Sequence, residues 1–218
     1  LSKSPNRSTK EREEQARRNK QLAIDESRRF IRELTRQQRQ FYCIYKTNID
    51  KDFVEDGEVH SKLEEKGTST YPGCNYVGVK GKCSIAGMKD DMQAAMGKLM
   101  AFSEENKNNT TGEVFTIYHK WDMVSKEVEY TSAVGVKDVP ANLSGGLASG
   151  NIPSTKVQSV KHTGTYDHLG NPWGMLYMMQ RGKEIKVNKS IDPFEIYVNS
   201  PVDTAPNDLI TEVSFPIK

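Results

Sequence analysis

Cysteine is scarce in this chain, and long apolar runs are missing. The three cysteines, Cys43, Cys74 and Cys83, are odd in number and no two have a CxxC spacing, so neither a disulfide framework nor a zinc site is expected. No stretch approaches 18 consecutive apolar residues, and no membrane span is therefore predicted. The four histidines do not fall at metal-ligand spacings, so no metal and no other cofactor is predicted.

Motifs for catalysis and nucleotide binding are also missing. No Ser-His-Asp or Cys-His arrangement can be assigned. The Gly145-Gly146 pair lies in a loop without a following helix, unlike a phosphate-binding glycine motif. Nothing resembles a helix-turn-helix, and direct nucleic-acid binding is not expected. These motifs therefore assign no reaction to the chain, and whether it is an enzyme stays open at this point.

Charge is concentrated at the N-terminus. Residues 1–40 hold 12 Lys/Arg and 6 Asp/Glu, whereas the whole chain carries a net charge of only +2. Residues 10–40 contain neither Gly nor Pro, and Glu13–Arg17 and Glu14–Arg18 have the favourable i,i+4 order. Residues 1–40 therefore predict a charged helix or arm that packs on the body or pairs with a second copy. A basic arm for nucleic acid or an anionic surface is the alternative, disfavoured because acids are interleaved with bases.

Residues 41–73 receive no functional interpretation. The β-branched and aromatic residues at 41–49 predict a strand. Residues 50–73 are acidic and then rich in Gly, Thr, Ser and Pro, which predicts a short helix or loop followed by a linker.

From residue 74 the order strand, helix, strand, strand is predicted twice, in repeats at 74–136 and 155–218. The predicted segments are 75–83, 87–105, 113–119 and 127–136 in the first repeat, and 156–163, 168–182, 193–198 and 209–217 in the second. A Gly/Ser-rich loop is predicted at 137–154. The fold class is therefore α+β: two β-α-β-β repeats that form an antiparallel sheet with two helices and a central cleft, preceded by the charged N-terminal helix.

Local matches support the duplication. They are Phe115-Thr116-Ile117-Tyr118 with Phe194-Glu195-Ile196-Tyr197, Met96-Gly97-Lys98-Leu99 with Trp173-Gly174-Met175-Leu176, and Ala133-Val134-Gly135-Val136 with Ser214-Phe215-Pro216-Ile217.

Three blocks of the second repeat match a known pattern. They are His162-Thr163-Gly164-Thr165-Tyr166 with Leu169 and Trp173, Phe194-Glu195-Ile196-Tyr197 running to Pro201, and Thr211-Glu212 running to Pro216-Ile217. In this order they resemble the gyrase-inhibitor-like, AraC-type effector-binding domain family, over residues 74–218. The resemblance implies a cleft for a small organic molecule, often cationic or aromatic. Some members of that family only bind, and some hydrolyse strained cyclopropane compounds.

Glu195 is the leading candidate for a ligand contact. Strand alternation places it on one face with Tyr197, while Phe194 and Ile196 point to the other, so the carboxylate is expected to be half-buried. A buried carboxylate is costly unless it is paired, which suits a cationic ligand or a general base with a raised pKa. An exposed pairing with a lysine such as Lys186 is the structural alternative. The resemblance also implies an effector-contacting glutamate at this position.

The other candidate ligand contacts are aromatic or acidic: Tyr197, Tyr118, Trp173, Tyr177, Tyr166 and Glu212. Tyr197 and Tyr118 are equivalent across the repeats, and Trp173 and Tyr177 are four apart on one helix and share a face. For the tyrosines and Trp173, a place in the core is the alternative. Glu212 is either a second acidic residue of the pocket or a partner for a buried base.

The predicted function is binding of an aromatic or cationic small molecule in the cleft, as a sensor or sequestering protein of the multidrug-binding kind. One alternative is a hydrolase of strained electrophiles, with Glu195 activating water and Tyr166 or Tyr197 donating a proton. The other is an interaction scaffold that uses the N-terminal helix, which also offers a route to a homo-oligomer. The chain begins at Leu1, so a processed or truncated form is expected. A bacterial cytoplasm is the expected compartment, with the envelope as the alternative if an upstream anchor was removed.

Overall fold

The computed structural model describes Glu14, Arg18 and residues 53–55, 58–122 and 124–218, with side chains for the first two and from residue 61 onward. The chain divides into two units, 1–47 and 48–218. In the first unit, Glu14 and Arg18 are helical, and Glu14 Oε1 lies 3.1 Å from Arg18 Nη2, which confirms that predicted pair. The rest of the predicted N-terminal helix and the strand predicted at 41–49 lie outside the described residues.

Over the described residues, the second unit is built on a sheet of nine strands in which every neighbouring pair is antiparallel. The strands are β1 (Phe53–Glu55), β2 (Glu58–Tyr71), β3 (Cys74–Ser84), β4 (Thr110–Asp122), β5 (Glu127–Val136), β6 (Leu147–Ile152), β7 (Thr155–Gly164), β8 (Phe194–Tyr197) and β9 (Ile210–Ile217). Their order across the sheet is β1-β2-β7-β9-β8-β4-β5-β3-β6. The predicted α+β class with an antiparallel sheet is confirmed.

Both predicted helices are present and lie on one face of the sheet. Helix α1 (Met88–Glu105) packs on β3 and β5, and helix α2 (Gly170–Arg181) packs on β7 and β9. The buried residues of α1 are Ala95, Leu99 and Phe102, whose spacing puts them on one stripe of the helix. They share a cluster with Val77 and Val134 of the sheet. No helix among the described residues is both long and apolar enough to cross a bilayer.

The two repeats meet at the centre of the sheet. The strand order β7-β9-β8 mirrors the order β3-β5-β4, and β8 pairs with β4. Thr116 and Glu195, which are equivalent in the sequence repeat, are also direct partners across this central pair. The pseudo-twofold axis therefore passes between Thr116 and Glu195. Because the helices pack on the outer strands, the central strands lie between them.

Each repeat is one strand longer than the sequence predicts. Strand β2 precedes β3 but pairs with β7 of the other repeat, from Ser61 opposite Gly164 to Tyr71 opposite Thr155. Strand β6 precedes β7 but pairs with β3, and Ile152 lies opposite Cys74. The first strand of each repeat thus completes the sheet of the other, and the two repeats are interlocked.

Two predictions are corrected by this exchange. The linker predicted within 50–73 is wrong for residues 58–71, which form β2, and the loop predicted at 137–154 contains β6. Strand β2 was not recognised because it is charged and polar, as a strand with a free edge often is: within the described residues, β1 pairs only with its first residues, 58–61. Its alternation also breaks at a bulge beside Gly67, whose φ of +74° favours glycine.

The opposite face of the sheet has its own core. Phe115 and Phe194 are fully buried there, next to Ile117, Tyr71 and Ile152. The Tyr71 ring lies 4.9 Å from that of Phe194. The exchanged strands β2 and β6 supply Tyr71 and Ile152, so both take part in this core.

Candidate functional site

Glu195 is the most conspicuous polar residue of the core. It lies on the central strand β8, on the helix-bearing face, and only 1% of its surface is exposed. Its partners across the sheet are Thr116 on β4 and Val213 on β9. The expected half-buried carboxylate is therefore almost completely buried, and the alternative of an exposed pairing with Lys186 is wrong.

Three donors converge on this carboxylate. Tyr118 and Tyr197 donate their hydroxyl protons to Oε1 at 2.8 and 2.7 Å. Trp173 of α2 donates its indole N–H to Oε2 at 2.8 Å. Among the described residues, no Lys, Arg or His side chain forms an ion pair with Glu195. The carboxylate is thus held by neutral donors and lacks a counter-charge within the described part of the chain.

The pseudo-symmetry explains why two tyrosines reach one oxygen. Tyr118 and Tyr197 are equivalent across the repeats, and each lies two residues after the axial pair Thr116 and Glu195. Alternation places all four side chains on one face. Each repeat therefore contributes one tyrosine to a carboxylate that sits beside the axis.

A chain of hydroxyl groups supports the hydrogen bond from Tyr197 to Glu195. Thr116 Oγ1 lies 3.0 Å from the Tyr197 hydroxyl and 3.3 Å from Ser132 Oγ. Because the single Tyr197 proton points to Glu195, the Thr116 hydroxyl must donate to Tyr197. Hydrogen bonds in such a series polarise one another and strengthen the last bond to the carboxylate.

Aromatic rings surround the carboxylate. We name as the aromatic cage the set Tyr118, Tyr166, Trp173, Tyr177, Tyr197 and Phe215. The Trp173 ring lies 5.0 Å from Tyr118, 5.4 Å from Phe215 and 6.2 Å from Tyr177, and Tyr166 lies 5.5 Å from Tyr197. Tyr166 is 37% exposed and Tyr177 is 45% exposed. The cage is therefore closed over Glu195 and reaches solvent at its rim.

Burial shifts the acid–base properties of this cluster. It raises the pKa of Glu195 above its ordinary value, while the hydrogen bonds from Trp173, Tyr197 and Tyr118 act in the opposite direction. Burial and the nearby Glu195 charge raise the pKa of both Tyr118 and Tyr197 well above the usual range. Both phenols therefore stay protonated and keep their donor role.

A family comparison bears directly on this site. The family described as "GyrI-like small molecule binding domain" matches residues 69–218, which is more than half of the chain and includes both tyrosines, Trp173 and Glu195. The chain belongs to this family. The match confirms the resemblance seen in the sequence and shows that the described domain is a small-molecule-binding domain.

Two solved structures with TM-scores above 0.5 share its fold. The cryo-EM structure of an EcmrR–DNA complex is 18% identical, with a TM-score of 0.57, and the match covers 92% of this chain and 70% of that one. The crystal structure of the EcmrR C-terminal domain is 20% identical, with a TM-score of 0.54 and coverages of 72% and 98%. The structure of SAV2435 bound to tetraphenylphosphonium is 15% identical, with a TM-score of 0.49 and coverages of 71% and 94%. A search of curated proteins found no matching relative.

Six of the seven candidate residues lie in one cluster in this GyrI-like domain: Glu195, Tyr197, Tyr118, Trp173, Tyr177 and Tyr166. The shared face of Trp173 and Tyr177 is confirmed by their ring contact. Glu212 is the exception. It lies opposite Ile196 and Lys161 in the ladder, on the face away from Glu195, and so is not part of the cluster.

The sequence did not single out three residues around this site. Ser132 ends the hydroxyl chain, Phe215 packs under Trp173 and Tyr177, and Trp121 lies 6.0 Å from Tyr118. Phe215 could have been found, because it belongs to the matched block that closes the second repeat. Within the described residues no group of three or more His, Cys, Asp or Glu side chains could hold a metal ion.

His162 belongs to the first of the three sequence blocks that resemble the family. It lies on the same face of the sheet as Glu195, and its pKa is also shifted by burial. It is fully buried, and its Nε2 lies 3.0 Å from Ser61 Oγ on β2. Burial lowers the pKa of His162 to about 4, and the nearby His168 acts in the same direction.

The stability of the domain is expected to fall in acid because of His162. In the unfolded chain His162 binds a proton near pH 6.5, whereas in the folded chain it stays neutral down to about pH 4. The free energy of unfolding should therefore be unaffected by His162 above pH 6.5 and about 3 kcal/mol lower at pH 4. His162→Gln removes the titrating group. Urea unfolding between pH 4 and 7 should show a shallower pH dependence in this variant, and equal slopes in variant and parent would contradict the assignment.

Proposed function

We propose that this domain binds a small organic cation that carries aromatic groups, that Glu195 is the counter-charge of the ligand, and that the protein acts as a sensor or a sequestering protein. One observation carries the proposal. Glu195 is 1% exposed and accepts three hydrogen bonds from neutral donors, and the described residues supply no cation to it.

Neutral hydrogen bonds offset only part of the cost of burying a carboxylate. A structural carboxylate in a core is normally paired with a cation. Here the net effect of burial is still a raised pKa for Glu195, so the ionised form gains from any cation that comes to lie beside it. A bound cationic ligand would supply that charge in a medium of low dielectric constant, where the attraction is strong.

The aromatic cage decides which cations suit the site. Aromatic faces attract cations through their quadrupole, most strongly when the cation is poorly hydrated. A compact ammonium ion would lose a large hydration free energy on entering the cage. A cation whose charge is shielded by aryl groups is weakly hydrated and would lose much less. The surroundings of Glu195 therefore favour a lipophilic, aryl-bearing cation. Since the cage covers the carboxylate, its side chains must move when such a ligand reaches Glu195.

Tetraphenylphosphonium is a suitable first probe, because its charge is permanent and shielded by four rings. We expect it to bind the parent in isothermal titration calorimetry and to raise the melting temperature. Glu195→Gln keeps the side-chain volume but removes the charge. It also loses at least one hydrogen bond, because the amide NH2 group must face at least one of the three donors and cannot accept a hydrogen bond from it. The affinity should fall about 30- to 100-fold, or 2–3 kcal/mol.

Glu212→Gln is the matched control, because it makes the same charge change on the neighbouring strand β9, on the opposite face of the sheet. It should bind the probe like the parent. Equal affinities of the parent and Glu195→Gln would refute the role of Glu195, and no binding to the parent would refute the proposal as a whole.

The hydrolase alternative has less support from the geometry. Both oxygens of Glu195 already accept hydrogen bonds. Three of the about four acceptor positions of the carboxylate are thereby occupied, so little capacity is left to accept a proton from a water molecule, whereas attraction of a cation needs only the charge. We therefore propose binding as the function of this cluster.

A further inference from the structure

Trp121 owes its position to an irregularity in β4. Tyr118 lies opposite Tyr130 in the ladder with β5, and Lys120 lies opposite Glu129, so His119 is an extra residue without a partner. A bulge of this kind shifts the alternation of all residues beyond it. Trp121 follows Tyr118 by three residues and would face the other side in a regular strand. Because of the bulge it lies opposite Val128, on the same face as Tyr118.

His119, the extra residue of the bulge, is held by contacts on the face of the sheet away from Glu195. The Nδ1 of His119 lies 2.7 Å from Asp192 Oδ2, and its Nε2 lies 2.7 Å from Thr131 Oγ1. Thr131 is the partner of Ile117 in the ladder, which places it on the face away from Glu195. With both ring nitrogens engaged, His119 is fixed in the bulged conformation, and the orientation of Trp121 is fixed with it.

Trp121 extends the aromatic surface beyond the cage. Its ring lies 6.0 Å from Tyr118, which in turn lies 5.0 Å from Trp173. The Trp121 side chain is 43% exposed, whereas Tyr118 is largely buried by the cage and donates to Glu195. A continuous row of rings therefore leads from the buried carboxylate to the solvent end of β4.

We propose that Trp121 is an outer aromatic subsite of the binding site, that it selects ligands whose aromatic part extends one ring beyond the group bound at Glu195, and that His119 with Asp192 positions it. This inference rests on the proposed function. It narrows the ligand class from aryl cations in general to elongated ones with two rings in sequence.

Two probes that differ by one ring test the proposal. Benzyltrimethylammonium has one ring beside its charge, and (4-phenylbenzyl)trimethylammonium has two. The full-length parent should prefer the longer probe. Trp121→Ala should lower that preference about tenfold, as expected for the loss of one ring–ring contact together with its apolar burial, and leave the affinity for the shorter probe within about twofold, because that probe does not reach Trp121. Trp121→Phe should keep most of the preference.

Two further variants complete the design. Val139→Ala removes an apolar side chain of similar exposure, 46%, and should change nothing. His119→Ala should lower the preference for the longer probe without changing the affinity for the shorter one, a split that a general loss of stability would not produce.

The outcomes separate this inference from the proposed function. If both probes bind in a Glu195-dependent way, but Trp121→Ala leaves the preference unchanged or weakens both probes equally, the outer subsite is refuted and the proposed function stands. If neither probe binds the parent while tetraphenylphosphonium does, the outer subsite is refuted and the proposed function stands. If tetraphenylphosphonium does not bind either, or if Glu195→Gln binds all three cations like the parent, both proposals are refuted.

Discussion

A chain that begins at Cys74, the boundary expected from the sequence, should fail to fold, whereas a chain that begins at Asn48 should keep its structure. The physical reason is β2. It pairs with β7 along its length and buries Ser61, Leu63 and Tyr71. Without it, β7 becomes an open edge, and the core around Phe194 loses the Tyr71 ring that packs on it at 4.9 Å.

Circular dichroism and thermal unfolding of the two truncated chains measure this effect against the full-length parent. A single substitution tests the same strand in the full-length chain. Tyr71→Ala should lower the free energy of unfolding by about 3 kcal/mol or more, as for other large aromatic truncations in a core. It also removes the hydrogen bond from Tyr71 to Glu113. Cooperative unfolding of residues 74–218 at the melting temperature of the parent would show that the exchanged strand is dispensable.

The affinity for tetraphenylphosphonium should fall as the solution is made acidic. A cation gains its counter-charge only from ionised Glu195, and burial raises the pKa of this carboxyl. Below that pKa the ligand must displace a proton, so the affinity should drop about tenfold per pH unit until it reaches the level of Glu195→Gln. The loss should therefore begin at a higher pH than an ordinary glutamate would allow.

Calorimetry in buffers of different ionisation enthalpy measures the proton that binding releases. The probe itself does not titrate, so the proton must come from the protein. Glu195→Gln should show neither the pH dependence nor the proton release. Circular dichroism must accompany each titration, because His162 destabilises the fold in the same range. An affinity of the parent that stays constant across the carboxyl range would argue against a cation–Glu195 contact.

The pattern of apolar residues in the sequence predicted most of the helices and strands from residue 74 onward. The sequence placed β5 at 127–136, and the structure has it at Glu127–Val136. The helices are also close to their predicted bounds, because Leu99, Phe102 and Leu176 follow the helical period and are buried. These elements were predictable since their apolar spacing reports directly on which face is buried.

Strands β2 and β6 were not predictable in the same way. Their sequences are polar, charged or rich in small residues, and their partners are distant in the chain. Only the three-dimensional arrangement of the repeats gives Ser61 and Tyr71 a buried environment. The case of Trp121 is similar, because strict alternation points it away from Tyr118 and the bulge at His119 reverses that orientation.

By itself, the sequence determined that the domain is duplicated and that the second repeat alone has a glutamate where the first has Thr116. It also indicated the aromatic residues nearby, because residue identity and local period are properties of the chain. Only the tertiary structure decided that Glu195 sits beside the pseudo-twofold axis, almost fully buried, with Tyr118 and Tyr197 donating to one oxygen and Trp173 to the other. Burial and convergence depend on strands and a helix far apart in the chain, and no local pattern encodes them.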